Sequence, residues 1–559
     1  MPKKETKKTT AASRIDARPT VKKPKDIVAG LSSASRVVAI ETSLRQQKGT
    51  LPQIDREKQA SALALRGNAK RFHGLKIPLR WFPWWRWRTP CSDKFGYMSS
   101  AATRKATKLP FDAATIALVE QLGDFMADAT RGPGAASTIP AGFTYFGQFV
   151  DHDITLDVDS KLDVEQDATT IPNMRSPAVD LDAVYGQGPA VDAFLYQFPA
   201  SGPPTAVRLL IGTNQNFGVG GPGGGDGTGP MNVQLNSDLP RAPTTNTALL
   251  GDPRNDENLI VSQLHHMMLK FHNKVIDGLV AAGFAGDIFV EAKRLVTHHY
   301  QWAVVHDFLR RICGQTAVDA AMASVTAAPG SAFAMPVEFS VAAYRFGHSM
   351  IREEYWLNAE LRTKPMSDVF AFIRSPLLPV FSNWVVDFNA FFETGFNVAV
   401  FNNAHQIDSV LAPALDLLPG FSGMMAILAK RNLIRGMALG LPSGQGMAAQ
   451  FGVAPLTAAE LKQGLPAGEA ALLDASGGLL LQKTPLWYYV LREAMVRGGG
   501  NQLGPVGARI VAETFVRMLK RDSDSYLNAA APFTPTLNSA VPGDFTVADL
   551  ANFSGVTVP

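Results

Sequence analysis

FTYFGQFVDHDITLD, residues 143–157, decides how this 559-residue chain is read, because it gathers Gln148, Asp151, His152 and Asp153 into six residues. As an α-helix the run sorts them by face. Gln148, Asp151 and His152 stand at i, i+3 and i+4 and share one side, while Asp153 is turned about 100° away. One face can then meet a cofactor or substrate while Asp153 meets a cation. A solvated acidic helix with a lone histidine carries the same local pattern, so the partners must come from elsewhere in the chain.

Four other stretches offer them. GDPRNDENLIVSQLHHMMLKFHN, residues 251–273, places Arg254 and Glu257 at i, i+3 where an amphipathic helix begins. Leu259, Ile260, Leu264, Met267, Met268, Phe271 and Val275 predict that helix by their spacing, and Asp252 and Asn255 suit its start, which puts Arg254 and Glu257 on its first exposed turn. SVAAYRFGHSMIREEY, residues 340–355, carries His348, and LAKRNLIRGMALGLPS, residues 428–443, carries Asn432 and Arg435. MRSPAVDLDAVYG, residues 174–186, presents Ser176, Asp180 and Asp182 with a carbonyl at Ala178, hard oxygen donors of the kind Ca²⁺ takes.

In this order the stretches resemble the animal-type haem peroxidases of the peroxidase-cyclooxygenase superfamily, and a bacterial-type member is expected. The run 147–153 resembles the family's G-Q-F/L-x-D-H-D distal helix, and R-x-x-E followed by His272–Asn273 resembles its distal Arg and ester-forming Glu. His348 stands in an F-R-x-G-H-like block that carries the proximal iron ligand, and Asn432 opens the N-x-x-R…G-L-P element that hydrogen-bonds it.

The resemblance implies a mainly α fold, one large domain with very little β and haem between its central helices. It implies haem b, with ester links through Asp151 and Glu257, and a bound Ca²⁺. His152, Arg254 and Gln148 become the catalytic residues, and His348 the iron ligand. Asn432 would accept the ligand's second ring N–H, and Arg345 and Arg435 would contact the cofactor. Asp153, Ser176, Ala178, Asp180 and Asp182 would hold the calcium. Asn258 follows Glu257 where a Met would be needed for the sulfonium link of one branch. The implied partners are hydrogen peroxide and a small donor, whether halide, thiocyanate or phenol.

Residue chemistry agrees. A buried His can take a proton from peroxide and return it to the departing oxygen, and Arg, always charged, stabilises the negative charge that develops. Two other readings are carried forward. Fatty-acid dioxygenases of the same superfamily use a Tyr three residues before the proximal His; here that position is Arg345, and Tyr344 lies one residue further, about 100° round a helix. A non-catalytic, calcium-stabilised scaffold would need none of His152, Arg254, His348 and Asn432.

Composition bounds the rest. With 46% hydrophobic and 18% charged residues the chain can bury a large core. Nine Lys or Arg against three Asp or Glu lie in the first 30 residues, so the net charge of +4 is a property of a tail read as disordered. The tail suits a weak contact with membranes or other anionic surfaces, with no specific nucleic acid implied. KIPLRWFPWWRWRTP, residues 76–90, interleaves four Trp with Arg80, Arg86 and Arg88 and reads as an arm stacked on the protein. The expected division is a tail and arm over 1–95 and a catalytic domain over 96–559.

Cys91 and Cys313 are too few for a disulfide framework, an iron-sulfur cluster or a Cys-based zinc site. No secretory signal or apolar span is visible, which points to a cytoplasmic protein or one exported by a signal-independent route. The Gly-rich run 217–230 lacks a GK[ST] ending and reads as a surface loop, and Gly251, Pro253, Pro419 and Pro442 punctuate the helices. His265, His266, His298, His299 and His306 lack H-E-x-x-H spacing and read as packing residues.

Overall fold

Long apolar periodicities become helices, and the few strands pair only two at a time. The computed structural model describes residues 94–131, 134–157, 159–214, 236–374, 379–416 and 426–557. The basic tail, the Trp/Arg arm with Cys91, the Gly-rich run and Pro419 lie outside them. The helices that position the site are α1 (Ala113–Met126), α2 (Gly142–Ile154), α3 (Leu259–Ala281), α4 (Ile288–Ala303), α5 (Leu428–Ala438), α6 (Leu486–Gly498), α7 (Pro505–Arg521) and α8 (Val547–Ser554). Four two-stranded ladders complete the described regular structure, one of them parallel, Phe95–Gly96 with Met335–Pro336. Among the described residues no helix is long and apolar enough to cross a membrane.

α2 begins where the strand Ala136–Pro140 ends and stops at Thr155, whose backbone is extended. Phe143, Tyr145, Phe146, Phe149, Val150 and Ile154 are all buried. A helix apolar around nearly its whole circumference belongs in the core, and α2 packs on α3 and on the 3₁₀ stretch Ala343–His348. Gly147 permits the close approach: a Cβ there would lie 3.2 Å from the Phe308 ring.

The expected start of α3 needs correction. Arg254 and Glu257 do not share its first turn. Asp252 caps a separate 3₁₀ turn, Pro253–Asp256, and accepts from the Arg254 amide at 2.9 Å. Asn258 then takes an extended conformation (φ −148°, ψ 159°) and caps α3 by accepting from Val261 N. Two successive N-caps, each with a preference for non-helical backbone, divide what the periodicity joined. His272 and Asn273 also lie inside α3, which runs on to Ala281.

α4 passes through a π-turn, Val304–Phe308, into Leu309–Cys313. A second π-turn, Glu338–Ala342, leads into Ala343–His348. π-turns inside helical runs commonly accompany functional sites. α5 packs on α1 and on the second π-turn, and α6 and α7 pack on Ala343–His348, so His348 is enclosed by helices from the C-terminal third of the chain.

Candidate active site

The predicted residues assemble in two groups, one around α2 with the Pro253–Asp256 turn and the acidic loop, the other around Ala343–His348 with α5, and α2 packs on Ala343–His348. On α2, His152 is buried and its Nδ1 lies 2.8 Å from Asn255 Oδ1. Asn255 in turn presents Nδ2 to His265 Nδ1 at 3.0 Å. An amide oxygen accepts, so the His152 proton sits on Nδ1 and Nε2 keeps its lone pair. Burial, assisted by the Arg254 charge, pushes His152 down to about 3 and keeps it neutral. Its Nε2 faces Glu257 Oε1 at 3.7 Å, and Gln148 Nε2 donates to that same Oε1 at 2.5 Å. The shared face expected of Gln148 and His152 is therefore present, with Glu257 brought to it.

Asp151 is turned differently. Thr155 Oγ1 donates to its carboxylate at 2.9 Å, and burial raises its pKa against the opposing pull of Arg254 and Arg345. Asp151 thus lies within electrostatic reach of Arg254 on the Pro253–Asp256 turn and of Arg345 on Ala343–His348.

Arg254 is held by its neighbours. Its Nη2 donates to the carbonyls of His152 (3.1 Å) and Thr155 (2.7 Å) and to Asp252 Oδ2 (2.8 Å). Asp252 is fully buried and also faces Arg175 at 3.6 Å, and the two guanidiniums hold its carboxyl well below the usual range. Arg175 reaches on to Asp182. A chain of charge therefore runs from the acidic loop through Arg175 and Asp252 to Arg254 and the backbone of His152. Asp252→Ala would leave two cations without their shared buried carboxylate, and urea unfolding should show a loss of about 3–5 kcal/mol. A loss below 1 kcal/mol would refute this account of the loop.

Asp153 points the other way, as its register requires. It accepts from Leu181 N at 3.1 Å, and its carboxylate gathers with those of Asp180 and Asp182 so that oxygens from all three lie within 4.8 Å of one another. Burial and mutual repulsion raise Asp153 well above the usual range and Asp182 to about 6. Ser176 Oγ donates to Asp180 at 3.2 Å. Ala178 is buried in the same loop.

In the second group His348 is likewise neutral, pushed down to about 3 by burial, Arg345 and Arg431. Its Nε2 makes no hydrogen bond among the described residues, and a Cβ built on Gly347 would meet nothing within 4 Å. With Nδ1 accepting from Asn432 the neutral ring carries its proton on Nε2, and that proton must move to Nδ1 before Nε2 can take a metal ion. The expected role of Asn432 is corrected in one respect. It offers His348 Nδ1 its Nδ2 at 3.1 Å, not its oxygen, because Oδ1 accepts from Arg345 Nη1 at 3.0 Å. A charged donor outcompetes a neutral imidazole N–H for one acceptor. Burial first, and then the charges of Arg435 and Arg431, lower Arg345 to about 10. Three guanidiniums within electrostatic reach of one another suit an anionic ligand.

Sequence reasoning passed over Asn255, His265, Asp252, Arg175 and Arg431. Asp252 and Asn255 were visible only as helix-start residues, and His265 only as packing.

Residues 163–552 match the family model for animal haem peroxidases, a span that includes Arg254, His348 and Asn432 and begins beyond α2. A peroxidase-like protein of Margaritifera margaritifera is 33% identical over 111 residues, which cover 18% of this chain and 14% of that protein. Peroxidase A from Dictyostelium discoideum has a similar fold (TM-score 0.52, 16% identity, 78% of this chain and 86% of that one). So does a fatty acid alpha-dioxygenase of Arabidopsis thaliana (TM-score 0.52, 12% identity, 95% and 88%). With the family match covering most of its length, the chain belongs to the animal haem peroxidases.

Proposed function

We propose that the chain is a haem-dependent peroxidase that uses hydrogen peroxide to oxidise a small donor such as a halide, thiocyanate or a phenol. The observation that carries this is a pair of neutral imidazoles on segments that pack together, the buried His152 with its Nδ1 proton held by Asn255 and the half-buried His348, whose Nε2 makes no hydrogen bond among the described residues.

The residues fit haem. His348 Nε2 would take the iron, Arg345, Arg431 and Arg435 suit the two carboxylates of the cofactor, and Asp151 and Glu257 are the carboxyls that would form ester links. When bound, haem supplies the two-electron chemistry of peroxide cleavage. His152 Nε2 receives the peroxide proton and delivers it to the leaving oxygen. Arg254 is fixed by Asp252 and two carbonyls, so its charge stands beside the reacting oxygens without reorganising. Gln148 orders water or a halide at the same face. The Oδ1 of Asn432 is the acceptor for which Arg345 and a metal-bound His348 would compete, which couples the ligand's electron donation to that guanidinium.

Tyr344 favours peroxidase over dioxygenase chemistry. Its hydroxyl donates to the Gly147 carbonyl of α2 at 3.2 Å and its ring stacks on Phe339, so the phenol is committed to packing. The deciding measurement is the optical spectrum of haem-loaded protein before and after hydrogen peroxide, repeated with bromide, iodide and a phenol. No Soret band would leave the scaffold reading standing, and oxygen uptake with a fatty acid would favour the dioxygenase.

The ester links are tested by acid-acetone extraction after peroxide treatment, which should leave haem on the protein. Complete release would exclude them. Asp153, Asp180 and Asp182, with Ser176 and Ala178 beside them, form the proposed calcium site and brace α2 next to His152. Chelation should lower the stability of the wild type by about 3 kcal/mol if free Ca²⁺ had stood near 100 times its Kd. Asp180→Ala should be insensitive to chelator, and equal sensitivity would place the cation elsewhere. The catalytic unit is proposed to span 96–559.

A further inference from the structure

We infer that Trp302, with His306 and Tyr526, forms a second oxidation site at the protein surface, used by phenolic donors too wide to reach the inner site proposed around His152 and His348. The inference rests on the peroxidase reading above, which supplies the oxidant, hydrogen peroxide.

Three contacts single out this indole. Trp302 is half-buried on α4, and its ring lies face to face with the His306 imidazole, centroids 3.8 Å apart and planes at 20°. Its Nε1 donates to Asp544 Oδ1 at 2.7 Å. Tyr526 meets the indole edge-on at 5.8 Å and lies within hydrogen-bond distance of His306, its hydroxyl 3.1 Å from Nε2. Burial keeps His306 neutral, so Nε2 can accept that hydroxyl hydrogen. An indole and a phenol that both stand ready to lose an electron thus each have a proton acceptor in place. Simple packing of an aromatic side chain needs neither.

An aromatic route joins this cluster to the inner site. Tyr344 lies on the segment that carries His348, and from it ring centroids follow at 6.3 Å to Phe308, 5.7 Å to Phe146 and 6.0 Å to Tyr300. Tyr300 and Trp302 stand two residues apart on α4. A helix with its side chains is about 10–12 Å across, which bounds the gap between their rings. Phe146 belongs to α2, so the route touches both segments of the inner site.

The chemistry balances without another reagent. Reducing one hydrogen peroxide to two waters takes two electrons and two protons. Trp302 supplies one electron inward, its Nε1 proton passes to Asp544, and a neutral indole radical remains. A phenol at the surface then gives its electron to the indole while Asp544 returns the proton to Nε1; the phenol's proton is released to solvent, and the two protons for peroxide reduction are taken up from solvent at the inner site. The phenoxyl radical leaves, and a second phenol repeats the cycle, so two phenols are consumed per peroxide.

Holoenzyme treated with hydrogen peroxide and a nitroso spin trap, with no donor present, should carry the trap on the peptide containing Trp302, as read by mass spectrometry. Trp302→Phe keeps the packing and should abolish that adduct. It should slow oxidation of a phenol-substituted dextran about tenfold or more, while free phenol stays within about twofold. Asp544→Asn keeps an acceptor for the indole but cannot take its proton, so the electron paramagnetic resonance signal should change to that of the protonated radical. An enzyme that oxidises free phenol but bears no adduct on Trp302, or a Trp302→Phe variant that oxidises the dextran at the wild-type rate, would overturn the inference. A wild type inert to both peroxide and free phenol would overturn the peroxidase reading itself, and this site with it.

Discussion

His348→Ala is expected to reduce haem affinity by more than about 100-fold, since changes to residues that merely support a metal ligand already cost 10–100-fold. The ring is neutral, its Nε2 makes no hydrogen bond among the described residues, and the neighbouring Gly347 faces open space. Titration of the apoprotein with haem, followed in the Soret region, measures the loss. Added imidazole should restore part of the binding by filling the space the side chain vacates. Far-ultraviolet circular dichroism of the apoprotein should be unchanged, because among the described residues His348 makes one side-chain hydrogen bond and one ring contact. Unaltered haem affinity would move the ligand to another residue.

His152→Ala should behave in the opposite way, retaining haem while peroxide cleavage slows by about 10²–10⁴-fold, the range of a general acid-base contribution. Stopped-flow mixing with hydrogen peroxide separates the two variants. The sign of the pH dependence follows from burial. The base form of His152 exists above its pKa, and that pKa is pushed down to about 3, so the wild-type rate should stay flat as pH falls from 8 to 5. An inflection near 6.5 would mean that the ring is solvated in the working enzyme. Asn255→Ala should weaken peroxide cleavage less, by about 10–100-fold, because it releases the Nδ1 proton without removing the base.

The two histidines also show what each level of description could reveal. The i, i+3, i+4 spacing of Gln148, Asp151 and His152 was enough to place two of them on one face and Asp153 on another, because helical geometry is local. The same holds for the helical character of 259–281 and the scarcity of strands. That α2 packs against the segment carrying His348 depends on contacts between stretches nearly 200 residues apart, which no local periodicity encodes.

Other outcomes were decided by competition among polar groups. Asn255 looked like a helix-start residue and became the acceptor for His152, because the chain broke into a 3₁₀ turn at Asp252 and restarted at Asn258. Asp252 looked like a cap and became the buried counter-ion of Arg254 and Arg175 as well. Asn432 met the expected histidine but gave its oxygen to Arg345.

The sequence by itself determined the helical class, the faces of α2 and the residue types needed for peroxide chemistry. Only the tertiary structure decided which polar group satisfies which. A buried donor or acceptor must be matched by whatever the folded chain brings within about 3 Å, and that distance is set by packing across the whole core.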